Sequence, residues 1–278
     1  MKKKRLIVNI KLIFLGPCDQ KRRHVENLET TSGPPKLLDV IRQTAAEDVA
    51  ELAERLKDTY TKDVIQEIEQ KTKGQAATEL WMEHRRGMAT STVCHAFRTR
   101  YQRLPKEPRP HNLGGLLRTV LRFNEFQSPA MARGQRMEEE AKQHLLQILR
   151  AEGHGAKLED HGLFIYSEYP FVGASPDGVL TFDCSCCSGR RVLIEVKCPT
   201  KVENSFARNS LQPLPHYYTQ MQVSMGVMKI ATCIFFVFAA EDSWRKTEVF
   251  FDQQYFSECI EAVRSIYTEY IFNGIKTV

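Results

Sequence analysis

The stretch from Gly173 to Pro199 constrains this 278-residue chain more than any other. It reads Gly-Ala-Ser-Pro-Asp-Gly-Val-Leu, then a cysteine-bearing insert, then Leu-Ile-Glu-Val-Lys-Cys-Pro. Val179, Leu180 and Phe182 approach a turn near Ser188-Gly189, and Val192, Leu193, Ile194 and Val196 return from it, which predicts a β-hairpin. Side chains alternate along a strand, so Glu195 and Lys197 share one face. Asp177 sits just before the first strand, between the turn residues Pro176 and Gly178. The hairpin therefore gathers one Asp, one Glu and one Lys at one end of a sheet. Two convergent carboxylates make a hard oxygen site suited to Mg²⁺ or Mn²⁺, ions that leave coordination positions for water and phosphate. A lysine beside them suits proton transfer or the balancing of developing charge.

Ser175-Pro176-Asp177-Gly178 followed by Glu195-Val196-Lys197-Cys198-Pro199 resembles the PD-(D/E)xK nuclease signature. Within that superfamily it is similar to the branch containing phage lambda exonuclease and the YqaJ-type viral recombinase nucleases. The combination carries the match, because a lone Pro-Asp or Glu-x-Lys arises by chance in many chains. The competing reading is a surface hairpin with an ordinary Glu–Lys pair.

Three further segments extend the resemblance. In Trp81-Met82-Glu83-His84-Arg85-Arg86-Gly87-Met88-Ala89-Thr90-Ser91-Thr92, Gly87 breaks one helix and a second begins near Ser91. Hydroxyls at a helix start, with free backbone N–H groups and an arginine, form a ready anion site. By resemblance, Arg85 with Thr90, Thr92 and Ser175 would bind the 5′-phosphate of a DNA end. Ordinary N-capping beside a surface arginine is the alternative.

Ser128-Pro129 then marks a helix start, with Met131, Met137, Ala141, Leu145, Ile148 and Leu149 as its buried stripe and Gly153 as its end. Gly134 costs about 1 kcal/mol of helix propensity, which predicts close packing against the sheet. Glu138 lies one turn beyond it on the same face and resembles the family's Gly-x-x-x-Glu carboxylate, a further metal ligand. The segment Pro215 to Met225 reads as a helix resembling the family's Tyr-x-x-Gln-x-Gln element, whose first Gln, here Gln220, would help hold the attacking water. Strands over Ile234–Phe238 and Val249–Phe251, then a helix over Phe256–Ile271, complete the reading.

The resemblance implies an α/β fold: a restriction-endonuclease-like core, a central mixed β-sheet flanked by helices, with an N-terminal helical extension. It implies a Mg²⁺- or Mn²⁺-dependent exonuclease acting on double-stranded DNA ends, 5′ to 3′, in recombination or repair. Asp177, Glu195, the Val196 carbonyl and Glu138 would hold metal, while Lys197 and Gln220 position water. An endonuclease of the same fold and a non-catalytic DNA-binding module are the rival readings. By resemblance the partners include further copies of the chain in a ring trimer and a single-strand annealing protein.

The chain divides into a leader over 1–35, a helical extension over 36–75 and the nuclease domain over 76–278. The extension has neither Gly nor Pro between Lys36 and Lys73. Its apolar residues recur at three- and four-residue steps, predicting a long amphipathic helix that Val64, Ile65 and Ile68 continue or restart. It is expected to pack on the core and to carry no chemistry, with an oligomer contact as the alternative. Met1-Lys2-Lys3-Lys4-Arg5 and Leu15-Gly16-Pro17-Cys18 resemble a signal peptide and a lipobox. Asn9 and Lys11 interrupt the apolar run, so a basic leader is expected rather than secretion. No apolar run approaches the ~20 residues of a membrane span.

The net charge of +5 is unevenly placed. From Arg85 to Arg122, nine basic residues face one acid, Glu107, a footprint for phosphates or a solvated loop. Of eight cysteines, Cys184, Cys186, Cys187 and Cys198 cluster and the rest are scattered, a pattern expected of a reducing intracellular compartment, nucleus or cytoplasm. Cys184, Cys186, Cys187 and Cys198 offer four thiolates for a structural Zn²⁺. Reduced structural thiols are the preferred alternative.

Overall fold

In a computed structural model, residues 33–44, 49–104, 113–122 and 128–277 are described. The basic leader up to residue 32 and the Pro-containing basic stretch at 105–110 lie outside the described residues. Three helices stand where one long helix, continued or restarted at Val64, was expected: α1 (Leu37–Gln43), α2 (Val49–Thr59) and α3 (Lys62–Lys71). The last break falls at Thr61, whose extended backbone frees its hydroxyl to accept the Val64 N–H at 3.4 Å. That is the N-cap geometry a β-branched hydroxyl residue favours over continuing a helix.

The apolar faces of these helices do not stand apart. Leu37, Ile41, Leu52, Leu56 and Ile68 share one cluster with Phe97 of α5 (Ser91–Arg103) and with Val263, Tyr267 and Phe272 near the C-terminus. Fully burying side chains of this size contributes about 1.5–3 kcal/mol each. Between these ends lie α4 (Glu79–Arg85) and α6 (Gly114–Leu121). A small sheet joins β1 (Ala89–Thr90), β4 (Val172–Ala174) and β3 (Phe164–Ile165), with β1 parallel to β4.

The main sheet has the order β2-β5-β6-β7-β8. Its strands are β2 (Ala156–Glu159), β5 (Gly178–Phe182), β6 (Arg191–Lys197), β7 (Thr232–Ala240) and β8 (Ser243–Phe250). The expected hairpin is β5–β6, antiparallel with Val179 opposite Leu193. β6 and β7 run parallel, so a crossover connection is required, usually a helix. It is α8 (Pro215–Met228).

Helices cover both faces of the sheet. Val192, Ile194 and Val196 pack in the cluster with Ala141, Leu145 and Leu149 of α7 (Pro129–Ala151), whereas Leu193 packs with Met221 and Met225 of α8. The period-two alternation of β6 is thus consumed on both sides. This is the α/β architecture expected, a mixed sheet between helices with N-terminal helices added.

Two details of α7 differ from expectation. Ser128 caps it as expected, accepting the Met131 N–H at 3.2 Å, but Met131 is 59% exposed. A Cβ placed on Gly134 would meet nothing within 4 Å, so that glycine is not packed against the sheet. The buried stripe starts at Met137 instead. The C-terminal helix is also divided. α9 (Gln253–Ile266) passes through a π-helical turn at Tyr267–Ile271 into α10 (Phe272–Lys276). Tyr267, fully buried, donates its hydroxyl to the Gly87 carbonyl at 2.7 Å and stacks on Phe171.

Candidate metal and phosphate site

Glu195 lies mid-sheet near the end of β6, on the face turned to α8, and is fully buried. Its Oε1 accepts from the Lys197 ammonium and from Gln220 Nε2, the latter at 2.6 Å. Its Oε2 is buried with no hydrogen-bond partner. A buried carboxylate oxygen left without a donor is costly. Burial, then the nearby Asp177 charge, pushes the Glu195 carboxyl up to about 8, against the opposing pull of Lys197.

Asp177 enters from the loop before β5, and its Oδ2 accepts the Val196 N–H at 2.7 Å. That bond fastens the loop to β6 and presents the carboxyl beside Glu195. Glu138, on α7, is raised as well, first by desolvation and then by Asp177, while Lys142 opposes the shift at 2.8 Å. The Asp177 charge thus disfavours ionisation of both glutamates.

Lys197 balances them. Burial disfavours its ammonium, but Glu195 and Asp177 outweigh that and its pKa is raised. Besides Glu195 it reaches the Val196 carbonyl at 3.1 Å. The ammonium therefore sits on two of the oxygens expected to ligate metal, as a cation would. An orphaned carboxylate oxygen, a backbone carbonyl and clustered acids form an all-oxygen donor set, which fits Mg²⁺ or Mn²⁺. Ser175, Arg85, Thr90 and Thr92 form a second group. Trp81 donates its indole N–H to Ser175 Oγ at 2.8 Å, and the Arg85 guanidinium lies 3.7 Å from the Trp81 ring centroid. The Thr90 and Thr92 hydroxyls are 2.9 Å apart. Arg85 Nε is buried without a partner. Burial first, and Arg122 second, hold the Arg85 pKa well below its ordinary value.

Three contributors escaped the sequence reading. Arg122 donates to Thr90 Oγ1 at 3.1 Å; only its place in a basic block hinted at it. Lys142, buried on α7 four residues after Glu138, also approaches Asp160 at 3.7 Å, and the i,i+4 spacing was the available signal. Gln75, at the end of the extension expected to carry no chemistry, donates to the Pro176 carbonyl at 2.7 Å and the His161 carbonyl at 2.9 Å. It steadies the loop bearing Asp177, and no local pattern announces such a long-range contact. Gln222 faces away from the acids, donating to the Phe250 carbonyl and accepting the Asp252 N–H.

The cysteines need a correction. Cys198 does not join the other three; it is buried beside Val196 in the apolar layer under α7. Among the described residues, the ligand atoms that converge belong to His154, Cys184, Cys186 and Cys187. Cys198 follows Lys197 in the hairpin's exit, whereas the other three occupy the turn at its opposite end.

A carboxylate pair and lysine on a hairpin, backed by helices on both faces of a mixed sheet, define a protein of the PD-(D/E)xK nuclease class. The chain belongs to the YqaJ-like viral recombinase domain family, whose model matches residues 80–233. Its fold is similar to that of an alkaline exonuclease, LHK-Exo, from Laribacter hongkongensis. Identity is 22%, the alignment covers 72% of this chain and 95% of that one, and the TM-score is 0.54. The same enzyme in complex with dAMP matches at 23% identity, with equal coverage and TM-score. The Shutoff and Exonuclease Protein of Kaposi's sarcoma-associated herpesvirus aligns at 12% identity over 85% of this chain and 80% of that one, with a TM-score of 0.46. No curated protein sequence matches the chain. No described helix is long and apolar enough to cross a membrane.

Proposed function

We propose that the chain is a divalent-metal-dependent exonuclease that degrades one strand of duplex DNA from a 5′-phosphorylated end. The observation that carries the reading is the fully buried Glu195, with one oxygen unpartnered and the other held by Lys197 and Gln220. Asp177, Glu195 and the Val196 carbonyl, assisted by Glu138, would hold Mg²⁺ or Mn²⁺. That ion supplies Lewis acidity at the phosphoryl oxygens and at the leaving oxygen. Lys197 would orient the attacking water, with Gln220 fixing its position. Asp177 keeps the loop on β6 through its bond to Val196.

Arg85, Arg122, Thr90 and Thr92 would receive the terminal phosphate, since a buried guanidinium beside a second one is a strong anion acceptor. Gly134, open above the helix face that carries Glu138, leaves room for a strand backbone to pass closely. By family likeness the role is in recombination or repair, with a ring of like chains and an annealing protein as partners.

Digestion of linear duplex bearing 5′-phosphate or 5′-hydroxyl, beside a closed circle, in Mg²⁺ or EDTA, tests the proposal. Mg²⁺-dependent loss of linear DNA alone, faster with the phosphate, is expected, and Asp177→Asn should abolish it. Cutting of the circle would make the chain an endonuclease, and no digestion would reduce it to a binding module.

A further inference from the structure

The turn between β5 and β6 is built to meet the end of α7. Gly153 adopts φ +84° and lets the His154 N–H bond back to the Leu149 carbonyl at 2.9 Å. The Gly153 N–H reaches the Arg150 carbonyl at 3.0 Å. This paired pattern ends a helix in a left-handed glycine and fixes the direction of the next residue. The His154 ring is thereby set edge-on against Phe182, with centroids 5.9 Å apart. Across from it, the Asp183 N–H bonds to the Gly155 carbonyl at 3.0 Å. A Cβ on Gly155 would lie 2.1 Å from Asp183 Oδ1. A larger residue there would make the Asp183 carboxylate turn away, while the Cys184 backbone stays at ordinary contact distance, 3.7 Å.

The close approach brings His154 Nδ1 within 3.8, 3.5 and 3.8 Å of the sulfurs of Cys184, Cys186 and Cys187. The sulfurs are 2.8 to 3.5 Å from one another. A tetrahedral zinc site with Zn–S of ~2.3 Å and Zn–N of ~2.0 Å spaces its ligand atoms roughly 3.5–3.8 Å apart. The four atoms have that compactness, with the sulfurs needing only to spread. One imidazole and three thiols are the donors zinc prefers and Mg²⁺ does not.

We propose that His154, Cys184, Cys186 and Cys187 form a structural zinc site that clips the C-terminus of α7 to the β5–β6 turn. With all four positions filled by protein, no coordination position remains for water or substrate, so the ion does not take part in hydrolysis. The clip lies about 20 Å along α7 from Glu138. It ties the helix carrying Glu138 to the hairpin carrying Asp177 and Glu195, at the ends farthest from those acids.

Metal analysis of the full chain, purified reduced in chelator-free buffer, tests this. Stoichiometric zinc is expected. Cobalt substitution of the unaltered chain should give thiolate-to-cobalt charge-transfer absorption, a readout that needs no variant. Zinc content should be unchanged in Cys198→Ser, retained in Asp177→Asn, and strongly reduced in Cys186→Ser and His154→Gln. Chelation should lower the melting temperature in every zinc-loaded form. A chain free of zinc with all thiols reactive would overturn the proposal, as would a Cys184–Cys187 disulfide in its place. Loss of zinc in Asp177→Asn would assign the ion to the carboxylates instead.

Discussion

Glu195 sets stability against activity, and Glu195→Gln separates them. In the metal-free protein the carboxyl is pushed from its ordinary 4.5 up to about 8, chiefly by burial. Between those values the folded state binds more protons than the unfolded chain at this position. Its stabilising contribution is therefore complete below about pH 4.5 and is lost as pH rises through 8. Glutamine cannot ionise and escapes that loss. Near pH 4.5 the two proteins carry neutral, nearly isosteric side chains there, and their stabilities should be close.

Above that the variant should gain about 1.4 kcal/mol per pH unit over the parent. The gain should level off above pH 8, on the order of 5 kcal/mol in favour of Gln. Urea unfolding at several pH values in EDTA, followed by the fluorescence of Trp81 and Trp244, measures it. Mg²⁺ should erase the pH-dependent gap by stabilising the ionised parent alone, and the variant should be inactive. A stability difference flat across pH 5 to 8 would refute the reasoning, and so would residual turnover in the variant.

Two other substitutions probe the neighbouring features. Arg122→Gln removes a charged donor worth about 1.5–3 kcal/mol, so the preference for 5′-phosphorylated over 5′-hydroxylated ends should fall roughly ten- to a hundredfold; equal slowing on both ends would deny Arg122 a part in phosphate binding. Gly134→Ala should stabilise the free protein by about 1 kcal/mol, because its Cβ meets nothing, while weakening DNA affinity measured in EDTA. A lowered unfolding midpoint would mean the position is packed after all.

How far the sequence carried can be judged on particular residues. Asp177, Glu195 and Lys197 are brought together because strand alternation and one turn suffice to bring them there. Gln220 meets Glu195 because the crossover helix must lie on the sheet. Contacts fixed by tertiary packing were harder. Gln75 reaches Pro176 across a hundred residues, and His154 meets the cysteines only because α7 ends in a left-handed glycine. Cys198 was expected beside the other three thiols across the hairpin, yet it sits at the other end of the strand. Gly134 seemed a packing glycine, because a propensity cost says that a reason exists without saying which. The restart that the apolar period left open beside a continued helix is decided by the Thr61 hydroxyl N-cap.

The shared cluster of the first and last helices bears on how the protein is made. Leu37 and Ile41 pack with Phe272 and Ile275, partners more than two hundred residues later in the chain. A ribosome releases α1 to α3 long before α10 exists. Until then their apolar faces lack part of their native cover, and contacts of such long sequence separation form slowly. The growing chain therefore passes through a long interval in which its N-terminal third is incompletely packed and open to chaperones or provisional partners. Changes that slow synthesis late in the message would lengthen that interval without altering a single contact of the finished fold.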